Sequence, residues 1–240
     1  GTTVIDNAAR EPEVQDLCRM LIAMGADVQG VGSSRLVVHG VPRGSLRAVR
    51  HAVVTDRVQA ATYVAAVAMA GGDVQVRGAR PEHMESVINC YARMGVSITP
   101  QRDGLRVTCH ERLRAIDFTT EPYPGIATDY KPLLVAMLSV ARGTGRVVET
   151  LFPGRFRYVE ELRKLGASIV AEGSTATVRG VESLVGAHVT APDIRAGAAL
   201  VVAGLAAEGE TVVSAVHHVD RGYDDLVGRL SGLGADVTRA

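Results

Sequence analysis

The chain has 240 residues, 47% of them hydrophobic, which is enough to bury one large or two small cores and excludes a disordered protein. Its 26 basic and 26 acidic residues give a formal net charge of zero, which offers no general attraction to nucleic acid or to an anionic membrane. The longest nearly apolar run, Ala196–Ala207, is shorter than the about 20 residues that cross a bilayer, and we expect no signal peptide. We therefore expect a cytoplasmic globular protein with no nucleic-acid and no membrane partner, in which any anion site is a local cluster of arginines.

The cysteines and histidines predict neither a disulfide framework nor a metal centre. The chain has three cysteines, an odd number, and none of them forms a CxxC spacing, so we expect reduced thiols. Cys18 and Cys90 fall inside predicted helices, where a cysteine usually serves as a small buried hydrophobe. We expect the adjacent His217 and His218 to point in divergent directions, which argues against a shared metal ion.

The predicted elements follow a repeat along the chain. Four segments end a helix at a glycine and continue as a strand, and these glycines are spaced by 70, 71 and 68 residues. We expect each glycine to cap its helix in the left-handed conformation. The four positions are Gly25, Gly95, Gly166 and Gly234.

Upstream of each glycine, the same order of elements recurs. A helix, a strand, a second helix and two strands make one unit, with a short strand leading in, and this alternation predicts α/β layers. Predicted first helices are Gln59–Ala70, Tyr130–Ala141 and Ala196–Ala207, and predicted strands include Thr3–Ile5, Arg35–His39, Asp73–Val76, Leu105–Thr108, Arg146–Glu149 and Thr211–Val213. The first unit starts at its strand and the last stops just after one strand. Because a unit cut in this way leaves an apolar face uncovered, we expect a preceding segment, another chain or self-association to cover it.

Charged residues recur where the predicted helices start. Aspartates precede the first helices, at Asp56, Asp129 and Asp193, and an N-cap role explains all three. Arginines stand at or near the start of the second helices, at Arg10, Arg80, Arg155 and Arg221. A cation there opposes the helix dipole by a few tenths of a kcal/mol, so capping does not explain it. Two interpretations remain open: a bound anion lies between each arginine and its helix, or the arginines face solvent or pair with neighbours such as Glu160 and Asp224.

Five stretches of the sequence, in order, resemble the UDP-N-acetylglucosamine 1-carboxyvinyltransferase family of enolpyruvyl transferases. They are Asn7–Glu13, Pro122–Asp129, Glu149–Phe152, Asp193–Ala196 and His218–Tyr223. The resemblance implies an α/β fold of repeated βαβαββ units, the inside-out α/β barrel of the enolpyruvyl transferase type. It also implies that residues 1–54 are the truncated end of a first domain. Residues 55–240 would then form a second domain that is nearly complete but lacks an N-terminal strand, with the active site between the two.

The same resemblance implies a reaction and its residues. The implied substrates are phosphoenolpyruvate and a UDP-amino sugar whose 3-hydroxyl receives the enolpyruvyl group in peptidoglycan precursor synthesis, without a cofactor or a metal. Asp129 matches the aspartate that contacts the sugar hydroxyl as its base, and Arg221 matches an arginine that binds phosphoenolpyruvate. The implied substrate-binding residues of the closed site are Leu151, Arg155, Asp193 and Arg195.

The sequence also departs from that family's pattern. Lys131 stands where the family usually has Gln, Ala127 replaces a common Pro, and Gln59 replaces a common Glu. The family's lysine–asparagine pair and loop cysteine belong to a first half that is not matched here, so we expect the isolated chain to be inactive. A truncated paralogue that acts on another nucleotide acceptor and a non-catalytic remnant that binds a ligand remain as alternatives.

Overall fold

A computed structural model of the chain describes residues 1–239 and divides it into two units. One unit comprises residues 1–56 together with the short stretch Pro122–Pro124. The other comprises Arg57–Glu121 and the residues from Gly125 onward.

The smaller unit is one helix beside a three-stranded antiparallel sheet. Its elements are β1 (Thr2–Asp6), α1 (Pro12–Met24), β2 (Asp27–Gln29) and β3 (Arg35–His39), and the strand order is β1-β3-β2. Helix α1 begins with Pro12, whose fixed φ suits the first helical position, and it ends at Gly25. The buried apolar side chains of this unit form a small cluster of Ala8, Cys18 and Leu36.

The larger unit contains the remaining repeats. The first consists of α2 (Arg57–Ala70), β4 (Gly72–Arg77), α3 (Glu85–Met94), β5 (Ser97–Gln101) and β6 (Gly104–Cys109). The second consists of β7 (Phe118–Thr119), a 3₁₀ turn at Thr128–Tyr130, α4 (Lys131–Val140), β8 (Thr144–Val148), α5 (Val159–Lys164), β9 (Ser168–Glu172) and β10 (Thr175–Arg179). The third consists of β11 (Leu184–Val185), β12 (His188–Thr190), α6 (Ile194–Leu205), β13 (Ala207–Glu208), β14 (Val212–Ser214), α7 (His217–Asp220) and α8 (Leu226–Gly232).

The structure confirms the predicted repeat at its turning points. All four spaced glycines have the left-handed backbone expected of helix ends, with φ of 106° at Gly25, 103° at Gly95, 87° at Gly166 and 96° at Gly234. The predicted first helices correspond to α2, α4 and α6, each within two residues of the expected bounds. Local sequence therefore decides where each helix ends, because glycine adopts this conformation without steric cost.

Sheets surround three inner helices in the larger unit. The strands form an antiparallel sheet β4-β6-β5, a mixed sheet β7-β8-β10-β9 and the parallel pairs β11-β13 and β12-β14. Helices α2, α4 and α6 pack against one another, and side chains such as Ala65, Leu134 and Ala199 are fully buried among them. A helix buried on every side is apolar all round, which accounts for the long apolar runs in the sequence. Within residues 1–239, none of the helices has the length and hydropathy that crossing a membrane requires.

Two sequence predictions about the last repeat are wrong. The strand expected after Gly234 is absent, because residues 235–239 pair with no strand of the described chain. His217 and His218 do not diverge, since their ring centroids lie 4.2 Å apart. Neighbouring helical residues start about 100° apart, but rotation about χ1 brings these two rings together. By contrast, Cys18 and Cys90 are buried in α1 and α3 as predicted.

Candidate functional site

The candidate site is built at the N-terminal ends of the inner helices α4 and α6. Asp193 is the N-cap of α6, and its carboxylate accepts hydrogen bonds from the backbone N–H groups of Arg195 at 2.9 Å and Ala196 at 2.8 Å. The predicted N-cap role is therefore confirmed for Asp193. It is wrong for Asp129, which lies in the 3₁₀ turn before α4, while Tyr130 occupies the N-cap position. The extra turn leaves the Asp129 carboxylate available to side chains.

Asp129 is held between two arginines. Its Oδ1 lies 3.1 Å from Nη1 of Arg155, and its Oδ2 lies 3.3 Å from Nε of Arg195. The Asp129 side chain is still 35% exposed. We call these three residues the outer charge cluster: one carboxylate and two cations that are fixed in position and open to solvent, a composition suited to anionic and hydroxyl-bearing ligands.

Arg195 is oriented by an aromatic ring and by a close approach of the backbone. Its guanidinium carbon lies 5.7 Å from the ring centroid of Tyr223, and the Tyr223 hydroxyl is 2.8 Å from Oγ1 of Thr62 on α2. The neighbouring Gly222 packs on α6 so closely that a Cβ there would lie 2.5 Å from Cγ2 of Ile194. Glycine is thus needed for the segment after α7 to reach the start of α6.

Arg221 is placed beside this cluster and not in it. Its side chain is exposed and, across residues 1–239, makes no hydrogen bond or ion pair. The adjacent Gly222 lies against the Arg195 guanidinium, whose Nη1 is 3.7 Å from the position that a Cβ of Gly222 would take. The structure therefore brings Asp129, Arg155, Asp193 and Arg195 together, and it leaves the Arg221 side chain turned to solvent nearby.

The repeated arginines do not stand in the first turns of their helices. Arg155 precedes α5 by four residues, and Arg221 follows α7, so neither opposes a helix dipole as the sequence suggested. Neither pairs with its predicted neighbour: Glu160 pairs with Arg163, and Asp224 pairs with Arg229. Their common position in loops leaves each guanidinium to be placed by tertiary contacts.

Beneath the outer charge cluster lies a fully buried ion pair between Lys131 and Glu149. The Lys131 Nζ is 2.6 Å from Oε2 of Glu149, and both side chains are 0% exposed. Glu149 also accepts hydrogen bonds from Oγ1 of Thr120 and of Thr128, each at 2.7 Å. Burial alone would raise the pKa of Glu149, but the bonds from Lys131, Thr128 and Thr120 lower it to about 2. Burial lowers the pKa of Lys131, while Glu149 opposes that shift.

The loop between β8 and α5 connects the two charge groups. At its start, the backbone N–H groups of Leu151 and Phe152 donate to Oε1 of Glu149 at 2.8 and 3.1 Å. Leu151 is half-buried, and its backbone rather than its side chain makes this contact. At the end of the loop, the guanidinium carbon of Arg155 lies 5.6 Å from the ring centroid of Phe152, and its Nη1 donates to Thr128 Oγ1 at 3.2 Å.

The contacts of Thr128, Lys131 and Glu149 were not predicted from the sequence. Lys131 attracted notice only as a departure from the family's usual Gln, and Glu149 only as part of a motif. A usable signal was present, because each charge adjoins apolar residues: the mostly apolar stretch Pro132–Val140 follows Lys131, and Val147 and Val148 precede Glu149. A charge at the end of a buried element is almost always paired.

Comparisons with known sequences identify relatives over the whole chain. A sequence model of the EPSP synthase (3-phosphoshikimate 1-carboxyvinyltransferase) family matches residues 1–230. The chain is 47% identical over 239 residues to a UDP-N-acetylglucosamine 1-carboxyvinyltransferase of Zymomonas mobilis and 46% identical to one of Novosphingobium aromaticivorans. Each alignment covers 100% of this chain and 56% of the relative, so the chain spans little more than half the length of the curated relatives it matches.

Comparisons with solved structures agree. The fold is similar to that of the enolpyruvyl transferase NikO from Streptomyces tendae, with a TM-score of 0.86, 29% identity and coverage of 100% of this chain and 57% of that one. An EPSP synthase from Acinetobacter baumannii has a TM-score of 0.77 at 20% identity, over 100% of this chain and 58% of that one, and shows the fold alone. The predicted inside-out α/β fold is confirmed by these likenesses.

Proposed function

This chain belongs to the EPSP synthase family, and on that premise we propose that it serves enolpyruvyl transfer from phosphoenolpyruvate to the 3-hydroxyl of UDP-N-acetylglucosamine, in peptidoglycan precursor synthesis. The names of the two curated relatives support this choice of acceptor. The observation that carries the proposal is the outer charge cluster, in which Asp129 stands between Arg155 and Arg195 and remains open to solvent.

In the proposed reaction, Asp129 acts as the base. It accepts the proton of the sugar 3-hydroxyl as that oxygen bonds to C2 of phosphoenolpyruvate, and C3 gains a proton from the family's loop cysteine, which belongs to the part of the relatives that this chain does not match. The tetrahedral intermediate then loses phosphate from C2 and returns a proton from C3 to that acid, which leaves the enolpyruvyl ether. Atoms and charges balance without a redox step, which is why the proposal includes no cofactor.

The arginines would hold the anionic groups. Arg155 and Arg195 already bind the Asp129 carboxylate, so their guanidinium groups stand beside the proposed base, where they would reach the negative charge of phosphoenolpyruvate or of a diphosphate bound next to it. Arg221, exposed beside them, is the proposed phosphoenolpyruvate ligand and is free to turn toward a bound anion. Asp193 holds the start of α6 in place, and Leu151 is proposed to line the sugar site.

We further propose that turnover needs the part of the relatives that this chain does not match. In this proposal, residues 1–54 complete one domain and residues 55–240 form most of the other. Exposed apolar side chains in the smaller unit support a covering segment: Val4, Ile5, Leu17, Ile22 and Val53 are each more than 40% exposed. A second copy of this chain is the alternative partner that would cover these side chains, and sedimentation at several protein concentrations would reveal it.

The proposal also includes a cytoplasmic location, because all three cysteines are free thiols.

The decisive experiment supplies the missing part. The chain is assayed alone and after coexpression with the unmatched portion of the Zymomonas mobilis relative, with phosphate release and product mass as readouts. We expect no turnover alone and turnover with the added portion. Turnover by the chain alone would refute the need for another segment. Binding of UDP-N-acetylglucosamine without turnover in the assembled pair would instead favour a non-catalytic ligand-binding remnant.

A second candidate is the same transfer to another nucleotide acceptor. Lys131, which stands where the family usually has Gln and lies beneath the outer charge cluster, is the departure that favours testing it. Competition between UDP-N-acetylglucosamine and other nucleotides in the assembled pair separates the two candidates. Preference for a nucleotide without the amino sugar would replace the first proposal.

A further inference from the structure

The loop Leu151–Arg155 has few contacts of its own that would hold it in place. Phe152, Pro153 and Gly154 are exposed, and the bonds inside the loop are short-range, such as Arg155 N–H to the Phe152 carbonyl at 3.2 Å. A loop with exposed side chains and local bonds opens readily unless its ends are tied down. Because this loop carries Arg155, the contacts that hold the ends of the loop in place determine the position of the Arg155 guanidinium.

Glu149 ties the start of the loop. Oε1 accepts hydrogen bonds from the backbone N–H groups of Leu151 and Phe152. Oε2 accepts hydrogen bonds from the Thr128 hydroxyl and the Lys131 ammonium. The same carboxylate therefore joins the loop to the turn that carries Asp129. Both partners of the Arg155–Asp129 contact are thus linked to one buried group.

Lys131 ties the end of the loop. Its Nζ donates to the backbone carbonyl of Arg155 at 2.7 Å, in addition to its 2.6 Å bond to Glu149. It also lies 4.1 Å from the ring centroid of Phe156, the next residue along the chain. An ammonium has three donors, and here two of them join the two ends of one loop.

We propose that the buried Lys131–Glu149 pair positions Arg155 against Asp129 by clamping both ends of the loop between β8 and α5. Lys131 and Glu149 touch no ligand in this proposal and act through the loop. A buried ion pair is often no more stabilising than an apolar pair of similar volume, so gain in stability alone does not explain it. The claim that this clamp supports turnover rests on the proposed function, whereas the claim that it holds Arg155 against Asp129 does not.

The test compares four forms of the chain: the wild type, Lys131→Met, Lys131→Gln and a control, Arg112→Met. Met keeps most of the length of the side chain but removes the donors, and Gln removes the charge but keeps a donor. Arg112 is a matched control because it also joins segments of the larger unit, donating to the carbonyls of Val140 and Val181 and to Glu182, away from the loop.

The first readout is amide hydrogen exchange by NMR, which does not depend on activity. In Lys131→Met we expect the amides of Leu151 and Phe152 to exchange at least about tenfold faster, and the Arg155 side-chain signals to shift, while the amides of α4 stay protected. Lys131→Gln is expected to restore part of the protection, and it also serves if the Met variant does not fold. Arg112→Met should leave these signals unchanged. Unchanged exchange and unchanged Arg155 signals in both Lys131 variants would overturn the proposal.

The second readout is turnover in the assembled pair. Displacing a guanidinium by about 1 Å costs roughly 10²-fold in rate, so we expect kcat to fall by about that factor in Lys131→Met, with less change in KM. Arg112→Met should keep its kcat. If the wild type does not turn over but the loop amides exchange faster in Lys131→Met, the proposed function is wrong and the positioning role of the buried pair is still supported. If the loop amides exchange faster in Lys131→Met and kcat is unchanged, the claim that the clamp supports turnover is refuted.

Discussion

The outer charge cluster and the buried pair lie side by side, and they use similar charges in opposite environments. Asp129 in the cluster is 35% exposed and meets its two arginines at 3.1 and 3.3 Å, whereas Glu149 is 0% exposed and meets Lys131 at 2.6 Å. Glu149 has its oxygens filled by five donors, while Asp129 keeps part of its surface for solvent. The comparison shows that burial separates the carboxylate proposed as the base, which stays accessible, from one whose oxygens are all engaged by the protein.

The largest expected effect is on turnover, at Asp129. Because the proposed base is lost without a change of shape, Asp129→Asn should lower kcat by about 10²–10⁴-fold in the assembled pair. Its free energy of unfolding should change little, since the carboxylate is partly solvated. Asp103→Asn, an exposed acid in the turn between β5 and β6, is the matched control and should be fully active. A wild-type kcat in Asp129→Asn would show that Asp129 is not the base, and the proposed difference in role between Asp129 and Glu149 would be wrong.

Breaking the buried pair should affect stability instead. Lys131→Met leaves Glu149 buried without its cation, and such a loss costs about 3–5 kcal/mol of the free energy of unfolding. Adding Glu149→Gln should recover part of that loss, because the unpaired charge is removed as well. Urea denaturation of the two single variants and the double variant measures the coupling. Additive losses would show that the two groups do not act as a pair.

The pH dependence of stability should report the titration of Glu149. The pKa of Glu149 falls from an ordinary 4.5 to about 2 on folding, so its contribution is complete above pH 4.5 and is lost as the pH drops toward 2. The loss amounts to about 3 kcal/mol. The stability difference between the wild type and Glu149→Gln should therefore shrink over this range. A difference that stays constant from pH 7 to pH 2 would contradict the assignment.

The smallest effect concerns Thr128, whose hydroxyl contacts both groups. It donates to Glu149 at 2.7 Å and accepts from Arg155 at 3.2 Å. Thr128→Val should cost about 1–3 kcal/mol of stability and lower turnover several-fold. Thr120→Val removes a similar bond to Glu149, but Thr120 does not contact Arg155, so stability should fall and turnover should not. Equal turnover in the two variants would mean that the groups are not coupled through Thr128.

Much of the fold could be predicted from the sequence because its signals are local. The spaced glycines end helices wherever they occur, since only glycine adopts the left-handed backbone without steric cost, and apolar runs mark the three inner helices. The last predicted strand failed for a non-local reason: a strand exists only with a partner, and residues 235–239 have none in the described chain.

At the site, the sequence alone determined which residues were candidates, and the tertiary structure decided their roles. Asp129 and Asp193 look alike as aspartates before helices, yet Asp193 caps α6 directly, whereas an extra 3₁₀ turn before α4 frees Asp129 for two arginines. Arg155 and Arg221 occupy equivalent positions in the repeat, yet only Arg155 meets Asp129. The pairing of Lys131 with Glu149, 18 residues away, followed from no local pattern. Which charged side chains meet depends on how separate segments pack. Burial then decides whether a carboxylate is enclosed by hydrogen-bond donors, like Glu149, or remains partly accessible to solvent, like Asp129.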